Sequence, residues 1–366
     1  MRIAFVSSIC VPFDAISAIV RSSLLWAAEA GHEVRLFTQR CDFADLPVTI
    51  AGSSTEVARD PFFRTADTVL LDFGICYDLF AVSLLAPADA RVVVRFHNIT
   101  PKELLPSWEH QVIERSITQM SLMRFVDEVL CDSETNLTEL RRRGIHSRAV
   151  VRALPIDVPL APPATKPSFD DGCLRIAFVG RFVRSKGPLE LVHAAERALA
   201  EVVHDRVDIT MVGNTAFSDQ EYLTELRATA RRVRHDSGGR LTVRLLGSVP
   251  NETRNDVLRD ADLFVLPTYH EGFCVPIVEA LASGCDVVAY DNSNVPAISA
   301  GLATLVPTGD TSTLAGAIAE RAEAVSAEAW RAAGYAEHAA ACAVHVRSFS
   351  PELMRDQFLA DVASVA

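Results

Sequence analysis

Short apolar runs recur along the chain, each followed by a polar turn and then by a longer stretch with helical periodicity. The first series reads RIAFVSS, EVRLFTQ, TVLLDFG, RVVVRFHN and EVLCDS, and the second RIAFVGR, DITMVGN, TVRLLGS, DLFVLPT and DVVAYDN. The two series open almost identically, at residues 2–8 and 175–181. Amphipathic stretches at 15–30, 189–203 and 218–236 separate the runs. Near-continuous apolar strands alternating with helices predict parallel sheets covered on both faces.

Between the series, residues 154–172 hold five prolines and no sustained periodicity, which is the composition of a semi-rigid linker. The fold class expected is α/β, with two Rossmann-like parallel-sheet domains facing each other across a cleft. The first spans 1–155, a proline-rich linker 156–173 and the second 174–345. A closing segment, 346–366, packs back toward the first domain, with Ser350 as helix N-cap and Pro351 at the first helical position. Ligands of such sheets lie beyond the carboxyl ends of the strands, so both domains are expected to contribute to one site.

Composition narrows the classes. Hydrophobic residues make up 49% and charged ones 22%, with a net charge of −12, which argues against a nucleic-acid binder. No apolar run reaches the length of a membrane-spanning helix. The start, MRIAFVSSICVPF, reads directly as a strand and lacks the features of a signal peptide, so a cytoplasmic location is expected. The eight cysteines are scattered without CxxC pairs and are read as buried free thiols.

The chemistry concentrates in residues 270–284, HEGFCVPIVEALASG. An apolar strand, a turn at Gly272 and a helix opened by Pro276 place Glu271 and Glu279 near a helix N-terminus, whose free N–H groups suit an anion. A second element, VGRFVRSKGPLEL, leaves its strand at Gly180 and Arg181 and brings Lys186 and Gly187 to another helix start, forming a candidate diphosphate clamp. It is neither a Walker loop nor a G-x-G-x-x-G turn. Neither HEGFC nor the DAD at 260–262 makes a convincing metal site, and no metal is expected.

With these two elements in one parallel-sheet domain, the sequence resembles the retaining GT-B glycosyltransferases of family 4, the group 1 glycosyltransferases. That family carries a Glu-x7-Glu element in an EGFG-x-P-x-x-E-A-x-A-x-G frame. Here Glu271, Gly272, Phe273, Pro276, Glu279, Ala280, Ala282 and Gly284 stand in it. Arg181 and Lys186 match the family's phosphate-binding pair. The resemblance implies that these two hold the donor diphosphate, that Glu279 accepts from the ribose hydroxyls, and that Glu271 with the loop N–H groups of Phe273, Cys274 and Val275 contacts the donor sugar. It places the base near Gly213 and Gly247, with Val249 in contact. His97, at the end of a first-domain strand, is implied as a donor-positioning or catalytic residue. Asp72, Tyr77, Ser133 and Asn136 are candidates for the acceptor side, Ser133 being equally readable as a helix N-cap.

Departures from the family qualify this. The loop after the first strand, SSICVPFDAIS, has no glycine, which leaves Ser7, Ser8 and Pro12 as weak phosphate candidates. Cys274 stands where glycine is frequent, and Ala297 where a glutamate is frequent. The resemblance implies a metal-independent hexosyltransferase without a cofactor, its donor a GDP- or UDP-linked sugar such as GDP-mannose. Its acceptor would be a small molecule, glycan or lipid-linked hydroxyl in polysaccharide, glycolipid or natural-product synthesis. Basic runs at 140–144 and 227–235 read as exposed helix surface, with attraction to anionic lipid as the alternative. A non-catalytic nucleotide-sugar-binding protein and a nucleotide-sugar epimerase are the competing readings.

Overall fold

The computed structural model describes residues 1–156, 162–215 and 218–363. Part of the proline-rich linker, 157–161, and the last residues of the closing segment, 364–366, therefore lie outside the described residues. The chain forms two compact units, 1–155 together with 351–366, and 156–350.

The first unit contains strands β1 (Arg2–Val6), β2 (Ile9–Cys10), β3 (Glu33–Thr38), β4 (Arg40–Cys41), β5 (Val48–Ile50), β6 (Thr68–Phe73), β7 (Arg91–Phe96), β8 (Glu128–Cys131) and β9 (Ala149–Val151). Seven of them form a parallel sheet in the order β5-β3-β1-β6-β7-β8-β9, while β2 and β4 pair separately. Successive side chains point to opposite faces, and the core follows that alternation. Ala4, Val6, Leu71, Val94 and Phe96 join one apolar cluster, whereas Ile3, Phe5, Leu36 and Leu70 join another. The second cluster is closed by the helices Ala15–Glu29 and Pro351–Ala363, with Trp26 and Phe358 ring centroids 6.1 Å apart. The C-terminal helix is fixed to this unit by charge as well as by packing. Arg152 donates twice to the Asp361 carboxylate, at 2.6 and 2.7 Å, and Arg91 donates to the Asp361 carbonyl.

The second unit contains β10 (Cys173–Val179), β11 (Arg206–Val212), β12 (Leu241–Gly247), β13 (Leu263–Leu266), β14 (Asp286–Asp291) and β15 (Ala303–Pro307). They form a parallel sheet in the order β12-β11-β10-β13-β14-β15. Every residue of β13 is buried, as a central strand covered on both faces requires. The described part of the proline-rich stretch is not free chain. Lys166 is buried and donates to the carbonyls of Arg259 and Ser283, both at 2.9 Å, and the short helix Ser168–Asp171 follows it. Burial pulls the pKa of this ammonium down, so the two carbonyls replace the water it lost. Among the described residues no helix is long and apolar enough to cross a membrane.

Candidate active site

In the second sheet the strand order reverses between β10 and β13, and the crevice beyond such a reversal is where open α/β sheets bind ligands. The loops leaving these two strands are the ones that carry the sequence motifs. They are stitched together: Tyr269 N donates to the Ser185 carbonyl at 2.8 Å and Thr268 Oγ1 to the same oxygen at 3.2 Å. Gly187 makes that approach possible. It sits at φ +67°, and a Cβ there would collide with the carbonyl of Pro267 at the end of β13.

This juncture brings Lys186 to Glu271. Lys186 Nζ lies 2.6 Å from Glu271 Oε1 and 3.3 Å from the His270 carbonyl, with both side chains largely buried. Arg181, by contrast, is exposed, and its guanidinium makes no hydrogen bond or ion pair to a described residue. Of the two candidate clamp residues, one is thus paired with an acid and the other directed to solvent.

Beyond Glu271 the chain enters the helix Val275–Ala282. Pro276 occupies its second position rather than its first, because the helix begins at Val275; the missing N–H is still one the helix could not use. Cys274 caps the helix in the left-handed region, at φ +80° and ψ +59°. A side chain is strained there, which accounts for glycine being the usual residue of the motif. Cys274 is buried, and burial pushes its thiol well above the ordinary range. The turn is braced from the β14 loop, where Asn294 Nδ2 donates to the Phe273 carbonyl at 2.8 Å and Ser293 Oγ lies 3.1 Å from His270 Nδ1. The Phe273 ring packs on Phe349, so the residue offers a ligand its backbone alone. Glu279 is buried on this helix and pairs with Arg254 at 3.1 Å.

Three glycines mark the neighbouring strand ends. Gly180 N donates to the Val212 carbonyl and Gly213 N to Gly247. A Cβ on Gly213 would collide with the Gly180 carbonyl oxygen. Val249 follows two residues beyond, half-buried.

The first sheet carries a different constellation. Asp72 in β6, His97 just after β7 and Asp132 just after β8 stand at the carboxyl ends of three adjacent strands. His97 Nδ1 lies 2.8 Å from Asp132 Oδ2 and Nε2 lies 2.9 Å from Asp72 Oδ1, all three side chains being buried. Two carboxylate acceptors on the two ring nitrogens call for two N–H groups, that is, an imidazolium. Burial alone would push its pKa down, but Asp132 and Asp72 outweigh this and raise it to about 9. Arg95 adds a further positive charge 3.7 Å from Asp132.

Residues 173–323 match the family model described as group 1 glycosyl transferases. Over those residues the second unit is similar to the group 1 glycosyltransferases. It is 36% identical over 121 residues to a D-inositol 3-phosphate glycosyltransferase of Corynebacterium kroppenstedtii, a stretch covering 33% of this chain and 26% of that protein. Over 167 residues it is 36% identical to a protein of the same name from Mycobacteroides abscessus, covering 45% of this chain and 35% of that one. The chain thus spans about a quarter to a third of the length of these relatives. Among solved structures, Anabaena Alr3699/HepE in complex with UDP and glucose superposes with a TM-score of 0.74 at 17% identity, over 99% of this chain and 100% of that one. Sucrose-phosphate synthase from Thermosynechococcus elongatus gives 0.71 at 19% identity, over 98% and 97%. The fold is GT-B, with two parallel-sheet domains.

The second sheet gathers Gly180, Arg181, Lys186, Glu271, Gly272 and the 273–275 backbone at one edge, with Gly213 and Val249 along the same edge. The first-domain candidates fare differently. Tyr77 is buried, its hydroxyl donating to the carbonyls of Val6 and Asp72, so it is a core residue and not an acceptor contact. Asp72 belongs to β6 rather than to a loop and is engaged by His97. Ser133 is the N-cap of the helix Glu134–Arg142, accepting from Asn136 N. Asn136 is fully buried, bonding Asn98 and the Phe96 carbonyl. These side chains turn inward: Asp72 to the His97 ring, and Tyr77, Ser133 and Asn136 to nearby backbone groups. Ser7 does likewise, donating to the Ile9 carbonyl.

Arg254 escaped the sequence reading because a single arginine on a polar helix carries no signal. Asp132 was within reach, since its strand end mirrors that of His97 in the CDSETN segment. Among the described residues no cluster of three or more histidines, cysteines or acids could hold a metal. Within the basic runs, Arg142 and Arg143 share Glu139, and Arg232 pairs with Glu196 and Asp236.

Proposed function

We propose that the protein is a retaining glycosyltransferase that moves a hexosyl unit from a nucleotide diphosphate sugar to an acceptor hydroxyl. The observation that carries this reading is the Lys186–Glu271 pair beside Arg181, which is exposed and unpaired among the described residues, at the strand-order reversal of the second sheet. A donor diphosphate entering there draws Lys186 from Glu271 and meets Arg181 directly. The two cations then stabilise the charge that builds on the departing nucleotide, without recourse to a metal. Glu271, released, accepts from sugar hydroxyls, and Glu279, oriented by Arg254, accepts from the ribose. The acceptor attacks from the face the leaving phosphate vacates, and the phosphate oxygen takes its proton. His97, held as an imidazolium, acts as a fixed charge in the first domain.

UDP- and GDP-linked hexoses, GDP-mannose among them, are the first donors to try, and thermal shift against UDP, GDP and dTDP sugars ranks them, since a ligand of the native state raises its melting temperature. The names of the relatives put D-inositol 3-phosphate at the head of the acceptor panel, before glycan and lipid-linked hydroxyls. Lys186→Ala is expected to lower transfer by about 10²–10³-fold, the usual effect of losing one preorganised charge-stabilising donor. Near wild-type transfer by both Lys186→Ala and Arg181→Ala overturns the clamp. Donor binding with no adduct or hydrolysis identifies a binding protein, and a free epimerised sugar nucleotide an epimerase.

A further inference from the structure

Two of the eight cysteines are paired by the fold. Cys10 and Cys41 are partners in register across β2 and β4, and at present their thiols donate to different backbone carbonyls, Cys10 to Ser17 and Cys41 to Phe43. Neighbouring strands keep paired Cα atoms inside the span a disulfide bridges, about 4.4–6.8 Å. The backbone around them is already tied, with Ser7 N donating to Phe37 O, Gln39 N to Ser8 O and Asp42 N to Cys10 O. Bond formation therefore needs side-chain rotation rather than movement of the chain. The two thiols differ in access: Cys10 is fully buried, whereas Cys41 is partly exposed.

We propose that Cys10 and Cys41 form a reversible disulfide when the protein meets a peroxide, making the β2/β4 pair a thiol-modification site. Cys41, the accessible sulfur, attacks one peroxide oxygen as thiolate and becomes a sulfenic acid; the O–O bond breaks, and the hydroxide released takes up the thiol proton as water. The Cys10 sulfur then attacks the Cys41 sulfur, forming the S–S bond and expelling the sulfenic oxygen, which leaves as a second water with the Cys10 proton. In sum, two thiols are oxidised and one peroxide is reduced to two waters. Burial pushes the Cys10 thiol up to about 12, so Cys41, the more exposed of the two, is the one that meets the peroxide. The product links the loop after β1 to the loop after β3 at the carboxyl edge of the first sheet, independently of what the second sheet binds.

The full chain treated with hydrogen peroxide, blocked with an alkylating agent and digested with trypsin tests this. Cys10 falls in the peptide 3–21 and Cys41 in 41–59, so the bond appears as a cross-linked pair lacking two hydrogens. The expected result is that species, reversed by a dithiol reductant and absent in Cys41→Ser, with the other six cysteines alkylated as free thiols. Cys41 driven to sulfinic acid without a link, both thiols still free after treatment, or cross-links scattered among other cysteines would each overturn the proposal.

Discussion

The carboxyl edges of the two sheets are built from the same kinds of residue, yet they do opposite things with their charge. At the first edge, Asp72 and Asp132 engage both ring nitrogens of His97 in a buried setting, while Asp72 Oδ2 and Asp132 Oδ1 make no hydrogen bond to a described residue. At the second, Lys186 and Glu271 pair at the rim of the crevice while Arg181 stays in solvent. Charges that satisfy each other in the interior hold strands together, because separating them leaves an uncompensated ion. A cation without a partner, beside one whose partner can be exchanged, is prepared to receive an anion. The difference therefore predicts that removing the first cluster costs stability and removing the second costs donor binding, although both stand at strand ends.

The largest effect expected is at the first edge. His97→Asn leaves two buried carboxylates facing each other and should destabilise the protein by about 3–5 kcal/mol, measured by denaturant unfolding. The pH dependence carries a sign. The folded pKa of His97, about 9, lies above its ordinary 6.5, so its stabilisation is complete below about 6.5 and is lost as pH rises through about 9. A stability gap between wild type and variant that stays constant across that window would show that the imidazolium does not hold the edge. Next comes Arg181→Ala. It should leave unfolding unchanged and cost about 3–4 kcal/mol in activation free energy for transfer, the reverse split from His97→Asn. An unfolding midpoint that drops with the activity would erase the distinction.

Glycines sharpen the same contrast. At the second edge Gly213→Ala drives a Cβ into the Gly180 carbonyl, and at about 1–3 kcal/mol it should both destabilise the unit and weaken donor binding. At the first edge Gly74→Ala meets the tip of Ile16, 2.8 Å away, which can move aside, so it should cost less. Equal losses in a paired unfolding experiment would mean the second edge is no more tightly built. Smallest is Glu279→Gln, which keeps its shape and loses the charge facing Arg254. About a tenfold weaker affinity for the nucleoside diphosphate, roughly 1.4 kcal/mol, is expected by calorimetry. Unaltered affinity would assign the Arg254–Glu279 pair to the scaffold.

Much of the second edge was legible because its chemistry is local. Gly187, Glu271, Gly272, Pro276 and Glu279 lie within short motifs whose turn and helix-start requirements are written in the residues themselves. The first edge was legible only as strand ends. Whether Tyr77 or Asn136 points out to a ligand or in toward a carbonyl depends on which unpaired backbone groups lie nearby, and those belong to strands far away in sequence. Tyr77 reaches Val6 and Asn136 reaches Phe96, contacts that no spacing along the chain encodes.

By itself the sequence determined the alternation of strands and helices, the two parallel sheets and the motif that carries Arg181, Lys186, Glu271 and Glu279, because periodicity and turn chemistry act over a few residues. Tertiary structure decided which charges are used up. It placed Lys186 on Glu271, Arg254 on Glu279 and two aspartates on His97, and it set Cys10 beside Cys41. Pairing of that kind depends on which strand ends become neighbours, and strand order is fixed by how the whole sheet packs.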